Sequence, residues 1–101
     1  MRTFLLSQSD RQAKKYRVVE LTPPFKAIYF GAKPYEDYTQ HKNEDRKKSY
    51  TSRHATREDW TKSGMDTAGF WSKHLLWNLP SLDDSISDTA RRFKIRIVKD
   101  F

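Results

Sequence analysis

Residues 16–31, YRVVELTPPFKAIYFG, decide the fold class. Two segments rich in β-branched and aromatic residues, 16–21 and 25–30, flank Thr22-Pro23-Pro24, where two successive residues without an N–H cannot continue a ladder. The pattern predicts a β-hairpin. Gly31 closes its second strand, and Lys33-Pro34 marks a turn before the composition changes. Upstream, Phe4-Leu5-Leu6 predicts a further short strand.

Beyond residue 36 the hydrophobic period changes from that of a strand to that of a helix. Asn43 is expected to cap a first helix. Glu44 and Asp45 occupy its opening turn, and Arg53, His54 and Arg57 lie toward its far end, the order a helix dipole favours. Asp66 is expected to cap a second helix over 67–77, whose Phe70, Trp71, Leu75, Leu76 and Trp77 leave little polar face. That helix should be central and most buried. Ser81 opens a third with the stripe Leu82, Ile86, Ala90 and Phe93, while Asp83, Asp84, Asp88 and Arg91 face water. Ile95-Arg96-Ile97-Val98 alternates, and predicts a final strand returning to the hairpin. The fold class is therefore α+β: a small N-terminal hairpin or sheet against about three helices, with a short C-terminal strand, in one basic domain over residues 1–101.

Composition fits a thin core built on rings. Hydrophobic residues make up 36% and charged residues 33%, yet the 14 aromatic residues argue against disorder. With no cysteine, disulfides and thiolate metal sites are excluded. No apolar run approaches a membrane span or the core of a signal peptide, which predicts a soluble chain kept in the cell interior.

The net charge of +7 is unevenly placed. Residues 1–35 hold seven Lys/Arg against two acids, residues 36–66 hold seven of each, and residues 67–101 hold six against four. The surplus lies at the two ends, so anionic nucleic acid and acidic protein are both candidate partners.

Motifs that carry catalysis are missing from the pattern. His41, His54 and His74 fit no compact metal-ligand spacing, and Gly31, Gly64 and Gly69 form no phosphate-cradling loop. Glu36-Asp37 and Glu58-Asp59 are adjacent pairs, better suited to caps and solvated charges than to opposite sides of a cleft. The reading is of a protein that is not an enzyme, with no cofactor and no small-molecule substrate. Arg46, Lys47, Lys48, Tyr50, Arg53, His54 and Arg57 interleave cations with rings along one helix, a composition that suits phosphate contacts and stacking. Helical spacing equally lets Tyr50 and His54 face the core while the cations are solvated. Gly69, inside the expected second helix, is expected to permit a close helix crossing.

One further pattern is longer. Phe30-Gly31-Ala32, Asp37-Tyr38-Thr39 with His41, Arg46-Lys47, Tyr50, Arg53-His54, Ala68-Gly69-Phe70, Leu76-Trp77-Asn78 and Arg92-Phe93 follow in an order that resembles a small uncharacterised family of nucleocytoplasmic large DNA viruses of algae and protists. The resemblance covers residues 16–97. His74 and Leu79 depart from it. It implies a viral setting and no catalytic residues. In that setting the expected role is a non-enzymatic virion structural protein, a minor capsid component bridging larger shell proteins. The alternative is a basic nucleic-acid-binding protein that coats or organises viral DNA. The expected partner surface is Arg2, Arg11, Lys14, Lys15 and Arg17 at one end with Arg91, Arg92, Lys94, Arg96 and Lys99 at the other, brought to one sheet edge if the last strand joins the hairpin.

Overall fold

The computed structural model describes residues 1–101 and has the expected α+β class. Its strands are β1 (Thr3–Gln8), β2 (Lys14–Glu20), β3 (Ala27–Ala32) and β4 (Arg96–Lys99), joined in one sheet in the order β3-β2-β1-β4. The expected hairpin is present as the antiparallel pair β2–β3, with Tyr16 opposite Phe30 and Val18 opposite Ile28. The segment around Phe4-Leu5-Leu6 is the antiparallel partner on the other side of β2, with Leu5 opposite Val19 and Leu6 opposite Val18. The C-terminal strand runs parallel to β1, and so does not touch the β2–β3 hairpin. Its position follows from β1, which alone offers an open ladder on that side once β2 is shared.

The helices are α1 (Tyr38–His41), α2 (Glu44–His54), α3 (Ala68–Trp71) and α4 (Leu82–Phe93), with a 3₁₀ turn at Lys62–Gly64. Asn43 and Ser81 cap α2 and α4 as expected. The cap of α3 is Thr67 rather than Asp66. Its hydroxyl accepts from the Phe70 N–H and donates to the Gly64 carbonyl, while the Asp66 carboxylate lies out by Arg2. After Trp71 the helix widens into a π turn, Ser72–Leu76, closed by the Trp77 N–H on the Ser72 carbonyl. Thr89 Oγ1 meanwhile donates to the carbonyl of His74. Helix α1 went unforeseen, although Asp37 and Gln40 form a capping box around it.

Alternation along the strands places Phe4, Leu6, Val18 and Phe30 on one face. They meet Met65, Phe70, Trp71, Leu75, Leu76, Ile86 and Ile95 in a single cluster. Trp71 is fully enclosed, its indole N–H donating to the Met65 carbonyl. Trp77 is only half-buried, because it sits at the rim against α2 instead of beneath the sheet. Asp88, expected in water, is mostly covered by Asn78, Arg91 and Arg92.

Candidate partner-binding surface

Strand alternation leaves a second sheet face whose residues take no part in the core cluster. Register sets out its rows. Val98, Leu5, Val19 and Ala27 stand side by side across all four strands. The next row holds Ser7, Arg17 and Tyr29, and at the opposite corner Arg96 stands beside Thr3. Val98 and Arg96 are exposed, and Leu5 and Val19 are half-buried. The Arg11 guanidinium lies 3.8 Å from the centre of the Tyr29 ring, whose hydroxyl donates to Asp10. That bond is the leading cause holding the Asp10 carboxyl below its ordinary range. Two polar atoms in this row, Ser7 Oγ and Arg17 Nε, are buried without a partner.

The ten expected contact residues divide into two groups. Five are neutralised within the fold: Arg2 by Glu20 and Asp66, Lys15 by Asp37, Arg91 and Arg92 by Asp88, and Lys99 by Asp83. Arg2 grips both Glu20 oxygens, which raises the Arg2 pKa and lowers that of Glu20. Arg92 also donates to His74 Nδ1, so it is part of the scaffold. The others, Arg11, Lys14, Arg17, Lys94 and Arg96, make no ion pair. Arg2 and Arg96 are neighbours, the Arg96 N–H donating to the Arg2 carbonyl. The two clusters otherwise lie apart: β4 is one edge of the sheet, whereas Arg11 and Lys14 flank the β1–β2 turn. The apolar row Val98–Leu5–Val19 was not singled out from sequence. Its signal is the doublets Leu5-Leu6 and Val18-Val19, since alternation puts one member of each on either face.

A second feature is a groove of about 750 Å³ between the C-terminal half of β3 and helix α2, floored by Ala68, Gly69, Ser72 and Leu76. Tyr50, from α2, is stacked between His54, at 4.2 Å, and Trp77, at 4.3 Å. The column continues through His41 to Tyr38. Burial pushes the Tyr50 phenol well above its ordinary pKa. His54 Nδ1 lies 3.2 Å from Glu58, which also accepts from the Trp60 indole N–H. Tyr50 and His54 thus pack inward, as helical spacing allowed, while Arg53 and Arg57 are exposed.

His74 is buried, donating from Nε2 to the Trp60 carbonyl and accepting at Nδ1 from Arg92. Burial lowers its pKa, and that of His41. No three His, Asp or Glu side chains converge where a metal ion could be held. No helix is long and apolar enough to cross a membrane.

The profile of a family of unknown function (DUF5754) matches residues 5–54, which run from β1 to the end of α2. No curated protein and no solved structure matches the chain.

Proposed function

We propose that this chain is a non-enzymatic binding protein that docks on a larger protein through the open face of its sheet and the adjoining β4 edge. In the setting implied by the resemblance to large DNA virus proteins, that role is a minor capsid component bridging larger shell proteins, resident in the virion. The observation that carries the reading is the row Val98–Leu5–Val19, an apolar strip crossing the sheet on the side away from the core and flanked by Arg11, Arg17 and Arg96, none of them paired with a carboxylate. An apolar centre with a rim of free cations suits an acidic protein surface: the strip supplies the buried contact and the cations select the neighbour.

The alternative is a nucleic-acid coat. It draws support from the net charge of +7. Half of the expected contact cations are cancelled by internal carboxylates, however, and the strip that Arg17 and Arg96 flank is aliphatic. Salt titration separates the two. Binding to duplex DNA should weaken log-linearly and steeply with salt, whereas docking through an apolar strip should persist. A steep slope at micromolar affinity would put the nucleic-acid reading first.

A further inference from the structure

The starts of β1, β3 and β4 and the end of β2 meet at one end of the sheet. The chain turns there between β2 and β3, and residues 21–27, LTPPFKA, are all exposed. Thr22 and Lys26 are the only polar side chains among them. Leu21 is 44% and Phe25 56% exposed, with Pro23 and Pro24 between them.

Two features of the backbone set this tip apart. Pro23 and Pro24 have no N–H, the Phe25 N–H donates to the Thr22 carbonyl, and the Leu21 N–H donates to the Thr3 carbonyl, each at 2.8 Å. Four of the five residues from Leu21 to Phe25 therefore offer no donor that would be stranded on leaving water. Phe25 also sits in the left-handed region, at a φ of 57°, where glycine or asparagine is at ease and an aromatic residue is strained. With more than half of the residue in solvent, packing within the chain does little to offset that strain. Strain held at an exposed ring points to a use outside the fold.

The charges at this end favour an anionic neighbour. Glu20 and Asp66 both lie against Arg2, whereas Lys26, Lys94 and Arg96, each at or just before the start of a strand, are exposed and make no ion pair. We propose that the β2–β3 tip inserts shallowly into an anionic lipid bilayer, with Leu21 and Phe25 at the boundary between headgroups and acyl chains and Lys26, Lys94 and Arg96 on the headgroups. Apolar side chains at the leading point and cations behind them are the two terms that hold a protein at such a surface. Closed as a turn, Thr22–Phe25 is not in the extended conformation that proline-reading protein grooves take. The tip stands at the end of the sheet and leaves the open face free, so this contact is independent of the protein docking proposed there.

Flotation of the full chain with phosphatidylcholine vesicles, with and without phosphatidylserine, tests this. Affinity for the serine-containing vesicles should be higher by at least about tenfold. Phe25→Asn suits the left-handed backbone, so it should melt at or above the parental temperature while binding those vesicles about tenfold more weakly, the loss of one buried ring. Lys26→Glu should weaken binding by a similar factor. In phosphatidylserine-containing bicelles, a nitroxide-labelled lipid should broaden the amide resonances of Leu21, Phe25 and Lys26. Equal affinity for the two vesicles, or a Phe25→Asn variant that binds as the parent does, would overturn the proposal. So would broadening centred on Val19 and Val98, which would put the lipid on the open face, and so would failure to bind either vesicle, which would leave the tip to a pocket on another protein.

Discussion

The rings of Tyr50 and Trp77 lie 4.3 Å apart and within 4° of parallel, and this contact ties α2 to the end of the π turn. Tyr50 is the one residue of α2 that is buried. Tyr50→Ala should therefore cost about 3–5 kcal/mol, as for other large buried aromatics, whereas Tyr50→Phe, which keeps the stack, should cost less than about 1 kcal/mol. Urea unfolding of the two variants checks this; similar midpoints would mean that α2 is held by something else.

Gly69 serves a carboxylate and not a helix crossing. An added methyl there would come within 2.7–3.0 Å of the Glu58 carboxyl group. Gly69→Ala should destabilise by about 1–3 kcal/mol, the usual cost of overpacking, offset in part by a helix propensity gain of about 1 kcal/mol. In a double-mutant cycle with Glu58→Ala, most of that cost should disappear. Simple additivity would place the strain elsewhere.

Stability should fall on mild acidification. Burial is the leading cause of the lowered pKa of both His74 and His41, reinforced at His74 by Arg92 and Lys73 and at His41 by Arg46 and Lys15; the hydrogen bond to the Trp60 carbonyl and, less strongly, Asp88 oppose it at His74, Glu36 and Asp37 at His41. A base whose folded pKa is depressed takes up its proton first in the unfolded chain. Stability is thus full above the ordinary value of 6.5 and declines below it until the folded pKa is reached. Between pH 7.5 and pH 5.5 stability should fall, chiefly through the more deeply buried His74. Denaturant titration at the two pH values reads it directly, and greater stability at pH 5.5 would contradict the assignment.

The three longer β segments and the caps of α2 and α4 were legible because local chemistry and tertiary packing agree there. Asn43 and Ser81 precede acidic first turns, and Tyr16 to Phe30 alternates around a proline break. Helix α3 was harder. Thr67 and Asp66 are both good caps by composition, and the Gly64 carbonyl, presented by the 3₁₀ turn just before, favours Thr67. The π turn depends on the packing of Ser72–Leu76 against α4, which no local signal encodes. The expected contact surface was legible as charge but not as geometry. Sequence counts Arg2, Lys15, Arg91, Arg92 and Lys99 as surplus cations, while folding brings each to a carboxylate from another element or another turn.

Docking through the open sheet face is the central claim, and assembly of particles tests it most directly. Arg11, Arg96 and Val98 are exposed on or beside that face and make no ion pair. The triple variant Arg11→Glu, Arg96→Glu, Val98→Asp should melt within a few degrees of the parent, because surface substitutions away from packing features rarely exceed about 0.5 kcal/mol each. On the proposed capsid role, its ratio to the major shell protein in purified virus particles, measured by quantitative mass spectrometry, should fall at least about tenfold, the effect of losing one hot-spot contact. A folded triple variant present in particles at the parental ratio would contradict the account.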